Sequence, residues 1–178
     1  MKQMKTLVVY SSLTGNTKQV AQAIFKSLPE GTKLVAVEDV LTNLTDYDLV
    51  FVGFWVDRGT ADKKAANLLA QLPNKKVALF ATLGAYPDSE HAQNSLDNAA
   101  ALLPEGSVVV NSFICQGKIA KSLAESFKKY PAGHPHAMTP ERIAKHQEAS
   151  KHPDEQDFKK AAEFAKQTYA LVKGTINE

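Results

Sequence analysis

Apolar and polar positions follow one another along this chain in two rhythms. Unbroken apolar runs at Leu7–Tyr10, Leu34–Val37, Leu49–Gly53, Val77–Ala81 and from Val108 toward Cys115 have the length of strands buried on both faces. Between them apolar residues recur every three or four positions. The sets are Val20, Ala21, Ile24 and Leu28; Ala65, Leu68, Leu69 and Leu72; Ala92, Leu96, Ala99 and Leu103; and Phe158, Ala162, Ala165, Tyr169 and Val172. Each set gives a helix one apolar face. Buried strands alternating with such helices predict a single α/β domain over residues 1–178, doubly wound on a five-stranded parallel sheet. Strand order 2-1-3-4-5 opens a ligand crevice at the carboxyl ends of the first and third strands.

The first strand breaks into Ser11-Ser12-Leu13-Thr14-Gly15-Asn16-Thr17-Lys18, and apolar residues at helical spacing resume after Lys18. A helix N-terminus carries unpaired N–H groups and a partial positive charge, which makes this turn an anion site. Ser12, Thr14 and Thr17 add hydroxyl donors, and Gly15 lets the backbone close around a phosphate. The nucleoside-triphosphate loop G-x-x-x-x-G-K-S/T and the dinucleotide fingerprint G-x-G-x-x-G are both absent. A neutral nest suits one terminal phosphate monoester. A plain helix cap by Ser12 or Thr14 is the alternative. The aspartates that a phosphoacceptor domain of the same topology needs are replaced by Ser11-Ser12 and Gly53-Phe54.

Composition narrows the class. No run approaches the roughly 18–20 apolar residues of a membrane span, and Met1–Lys5 opens no signal-peptide pattern. The lone Cys115 forms no internal disulfide and fits a reducing compartment, so a cytoplasmic protein is expected. Nothing near Cys115 marks it as a nucleophile, and a small buried residue is expected. The net charge is +2, without a basic stripe interleaved with aromatics, so nucleic-acid binding is not expected. Docking steered by so small a charge would depend only modestly on salt. Four of the five histidines, His134, His136, His146 and His152, fall within 134–152. His-x-His alone does not make a metal site, and none is expected.

The segment Ser12-Leu13-Thr14-Gly15-Asn16-Thr17 resembles the phosphate loop of the flavodoxin family, Ser/Thr-x-Thr-Gly-x-Thr, in its usual place after the first strand. The resemblance implies a flavodoxin-like three-layer sandwich binding FMN, with Ser11 through Thr17 around the phosphate. Gly53-Phe54-Trp55-Val56-Asp57-Arg58-Gly59-Thr60 then stands where the family has its first flavin loop. Phe54 or Trp55 would stack on the ring, and Gly59 would permit a peptide flip beside it; a plain turn is the alternative for Gly59. Thr82-Leu83-Gly84-Ala85-Tyr86 resembles the second loop, with Tyr86 as the candidate cover of the other face, and Asp88 or Ser89 reads as the following helix cap.

From 118 to 153 an excursion departs from a minimal flavodoxin. It carries a Pro/Gly-rich loop and a short helix begun by Thr139 and Pro140, and is expected to be surface that shapes partner access. GFWVDRGTADKK, FATLGAYPDSEHA, ICQGKI and GHPHAMTPER are similar to one branch of the family, the flavodoxin-like proteins that accompany bilirubin reductase in gut bacteria. The resemblance implies an electron carrier that serves a reductase partner, with tetrapyrrole (bilirubin) reduction as the setting. Two readings from other classes stay open: an FMN-dependent reductase acting directly on a quinone or other flat substrate, and an interaction domain without flavin. The near-neutral charge departs from the acidic surface usual in the family.

Overall fold

The computed structural model describes residues 2–40 and 43–178. Strands β1 (Thr6–Tyr10), β2 (Lys33–Ala36), β3 (Leu49–Asp57), β5 (Lys76–Leu83) and β6 (Val108–Gln116) form a parallel sheet in the order β2-β1-β3-β5-β6. This is the expected order. A two-residue strand, β4 (Thr60–Ala61), adds to it by pairing antiparallel with the end of β3. The first flavin loop expected at 53–60 is therefore a hairpin. β3 runs on to Asp57 and turns at Arg58 and Gly59, both at positive φ, the backbone of a two-residue hairpin turn.

Alternation along the strands sends side chains to two cores. Val8, Phe51 and Phe80 pack with Val20 and Ile24 of α1 (Asn16–Ser27) and with Phe164 of α6 (Glu155–Ile176). Phe164 meets Phe51 edge-on at 5.8 Å and stacks on Phe113 at 5.7 Å. Leu7, Val9, Val52, Phe54 and Leu79 face Leu69 of α2 (Lys63–Leu69) and Leu96 of α3 (Glu90–Ala100). Fully burying each such side chain contributes about 1.5–3 kcal/mol. The stripe on α6 differs from expectation. Ala161, Phe164, Ala165, Thr168 and Val172 are buried, while Phe158 and Tyr169 flank them half-buried.

Between β6 and α6 the excursion forms two helices, α4 (Lys121–Phe127) and α5 (Pro140–Ala149). Thr139 caps α5 by accepting from the Arg142 amide at 3.2 Å, with Pro140 in the first turn, as the sequence predicts. α4 has no side-chain cap, hence no sequence signal. The excursion's ends are tied down: the Gly117 amide donates to the Leu83 carbonyl at 2.8 Å and the Lys118 amide to the His152 carbonyl at 3.0 Å. His152 also reaches from α5 to α6, with Nδ1 2.6 Å from Asp157 Oδ2 and Nε2 3.1 Å from Glu148 Oε1. Asp154 and Asp157 cap α6 reciprocally. No helix of the described residues is long and apolar enough to cross a membrane.

The hydrogen bond to Asp157 raises the His152 pKa above its ordinary 6.5, with burial opposing and Glu148 adding to the rise. A raised folded-state pKa contributes stability that is fully present below the unfolded value and lost as pH rises through the folded one. The difference in urea midpoint between the wild-type protein and His152→Gln is therefore larger at acid pH than at alkaline pH. Equal differences on both sides would show that the charged imidazole is not what joins α5 to α6.

Candidate cofactor site

Where β1 ends, Ser11 turns inward and donates its hydroxyl to Asp62 Oδ2 at 2.6 Å. Gly15 sits at φ 99° as the N-cap of α1, in the left-handed region that favours glycine. Ser12 Oγ accepts from the Gly15 amide at 3.1 Å and the Lys18 amide at 3.3 Å, so it braces the loop from outside the helix. Thr14 makes no cap and is exposed. Among the described residues, the Asn16 and Thr17 amides meet no acceptor in the chain. These free donors lie at the helix end that carries about half a positive charge.

Thr17 points inward. Its hydroxyl lies 2.9 Å from that of Thr82 at the end of β5, and both are buried. Two hydroxyls sharing one hydrogen bond leave one proton free to donate into the cavity that both line. Asn16 Nδ2 donates to the Lys118 carbonyl at 2.8 Å, which ties the loop to the excursion. That contact depends on Gly117, because a Cβ there would stand 2.7 Å from Asn16 Nδ2.

On β3, alternation separates the two candidate aromatics. Phe54 is fully buried in the α2/α3 core, and Trp55 faces the cavity. The Trp55 amide donates to Asp62 Oδ1 at 3.3 Å. Asp62 was not among the residues singled out from the sequence; its signal was an aspartate just before a helical apolar stripe. It caps α2 by accepting from the Ala65 amide at 3.4 Å. Burial raises its pKa, opposed by the hydrogen bonds from Ser11 and the Ala65 and Trp55 amides.

Ser12, Leu13, Thr14, Asn16, Thr17, Trp55, Thr82, Leu83 and Gly84 line one cavity of about 640 Å³, within the roughly 300–1,000 Å³ of small-molecule sites. Ser11, Gly15, Phe54, Gly59 and Tyr86 do not line it. Ser11 and Gly15 shape the loop from behind. The Gly59 carbonyl accepts from Asn98 of α3 at 2.8 Å. Tyr86 is exposed, and its carbonyl accepts from the Ser89 amide, Ser89 being the α3 cap.

The excursion, expected as surface near the crevice, is a wall of this cavity. Ile119, Leu123, Phe127 and His146 line it, and the Phe127 and His146 rings lie 5.7 Å apart. Burial lowers the His146 pKa, and the Lys145 and Arg142 cations lower it further. His91 and His136 also line the cavity, whereas His134 stacks on Tyr130 at 4.3 Å and His152 joins Asp157. Cys115 is buried, and burial pushes its thiol pKa up. A neutral loop with free amides, a spare hydroxyl proton and a tryptophan wall together fit a flavin carrying one phosphate.

Asp62→Ala would leave the Ser11 hydroxyl and the Trp55 and Ala65 amides without their acceptor. The expected loss is about 1–3 kcal/mol, the cost of stranding buried donors, read as a lower urea midpoint. Asp62→Asn keeps one acceptor oxygen and recovers part of the loss. A wild-type midpoint for Asp62→Ala would remove Asp62 from this role.

Residues 7–166 match the family model described as a flavodoxin domain. The chain is 36% identical over 179 residues to the flavodoxin-like domain-containing protein BilS of Clostridioides difficile (strain CD3), covering 97% of this chain and 99% of that one. It is 30% identical over 148 residues to the protein of the same name from Clostridium symbiosum (strain WAL-14163), covering 74% and 78% respectively. Among solved structures, a flavoprotein in complex with FMN from Lactobacillus acidophilus NCFM superposes with a TM-score of 0.53 at 19% identity, covering 71% of this chain and all of that one. Fold, family and sheet order thus agree with the sequence reading: the chain belongs to the flavodoxin family.

Proposed function

We propose that this protein is a one-flavin electron carrier that holds FMN in the cavity described above and serves a reductase partner. The observation that carries the reading is the α1 N-terminus. Its free Asn16 and Thr17 amides and the exposed Thr14 hydroxyl open onto the same cavity as Trp55. FMN is the cofactor, and when bound it supplies one- and two-electron redox chemistry. The chain's own residues bind and orient it. The loop takes the phosphate through neutral donors, Trp55 offers a flat wall to the ring, and the excursion limits water on the remaining side. Asp57, His91, His136 and His146 line the cavity, but among the described residues no ion pair joins Asp57 to any of these histidines as an acid–base couple. The tetrapyrrole (bilirubin) setting implied by the family branch is where we place the partner.

The second reading, direct reduction of a quinone or other flat substrate, draws on one specific observation: the excursion lines the cavity itself. Steady consumption of a reduced nicotinamide by the isolated FMN-loaded protein, with a quinone present, would establish that reading. The carrier reading expects none without a partner.

Thr14→Ala is expected to weaken FMN by about ten- to a hundredfold and riboflavin hardly at all, because only FMN carries the phosphate. A hydrogen bond to a charged acceptor is worth about 1.5–3 kcal/mol. Equal weakening of both ligands in parallel equilibrium titrations would move the phosphate away from this loop.

A further inference from the structure

The net charge of +2 is unevenly distributed. Residues 118–153 carry seven lysines and arginines against three glutamates, a surplus of four, so the rest of the chain is acidic by two. Lys118, Lys121, Lys128, Lys129 and Lys145 form no ion pair among the described residues. Lys118 and Lys145 line the cavity, and Lys121 opens α4 three residues after Lys118. Asp57 at the end of β3, Asp88 between β5 and α3 and Glu90 at the start of α3 stand against Arg58, so the positive charge belongs to the excursion. Two leucines that line the cavity stand open to solvent, Leu13 at 63% and Leu123 at 49% exposure.

We propose that the α4 side of the cavity mouth is the docking face for an acidic redox protein, with exposed leucines for contact and lysines for steering. The proposal rests on the electron-carrier reading and names the chemistry of the partner. A basic face attracts an acidic partner and sets its orientation before contact. The attraction reaches about 8 Å at physiological salt, so it is governed by the lysines at the mouth and not by the total charge of the chain. Docking is therefore salt-dependent, contrary to the expectation drawn from net charge. An anionic membrane would meet the same lysines, but a flat headgroup plane does not enter a concave mouth. FMN held there would supply one electron at a time, the docked partner's redox centre would accept it, and any proton released would pass to solvent.

The test uses the full chain loaded with FMN and photoreduced, mixed by stopped flow with acidic rubredoxin or basic cytochrome c. Between about 20 and about 500 mM NaCl the rubredoxin rate is expected to fall about tenfold, within the range of steered encounters, while the cytochrome c rate holds or rises. The combined variant Lys118→Gln, Lys121→Gln, Lys145→Gln, checked by absorbance for retained FMN, should lose most of the low-salt rubredoxin advantage. Lys159→Gln with Lys160→Gln on α6 should keep it. If both acceptors oxidise the protein with the same salt dependence, or the triple variant is unchanged, the docking face is wrong and the carrier reading stands. The docking face is equally overturned if the protein floats with phosphatidylserine vesicles while showing no preference between acceptors. If neither acceptor oxidises the reduced protein, the carrier reading itself falls.

Discussion

A carboxylate with only 2% of its surface exposed, on Asp62, receives hydrogen bonds from the side chain that follows β1 and from the backbone of β3, and caps α2 as well. Burying a charge is costly unless several donors meet it, and here three do. The cost buys position: Ser11 fixes where the loop before α1 leaves the sheet, and the Trp55 amide fixes where the tryptophan stands. These are the two strands, β1 and β3, between which the strand order reverses and a parallel fold leaves its crevice. The cavity thus depends on one buried acid that is itself hidden from the ligand.

The electrostatics divide along the same geometry. The loop from Ser11 to Thr17 contributes amides, hydroxyls and a helix end and no side-chain charge, so its attraction for an anion is short-ranged and directional. The excursion contributes point charges on flexible stems, suited to long-range steering. Asn16 connects the two regions by donating to the Lys118 carbonyl across Gly117.

Much of this was legible in the sequence, because strand runs, helical spacing and the Ser12–Thr17 pattern are local signals. The parallel sheet and the α5 cap at Thr139 followed from them, and the strand order from the resemblance to flavodoxins. What was not legible depends on tertiary pairing. β3 runs past Gly53 because Phe54 and Trp55 pair with Ala81 and Thr82 of β5 before Val56 and Asp57 reach β4, and that continuation decides that Phe54 is core and Trp55 is cavity. α4 is seven residues long and uncapped, below what spacing can reveal. The α6 stripe shifted because Phe164, and not Phe158, lies over Phe51 and Phe113. Thr17 was read as a phosphate donor, but its partner Thr82 is 65 residues away, and no local pattern announces such a pair.

The central claim is that one FMN lies in this cavity against Trp55. Because Trp55 is the only tryptophan of the chain, intrinsic emission reports on that wall alone. Titrating the apoprotein with FMN should quench the emission steeply to an end point at one flavin per chain, and Trp55→Phe should bind the flavin with no such signal. FMN bound with undiminished tryptophan emission, or no saturation at one equivalent, would contradict the account.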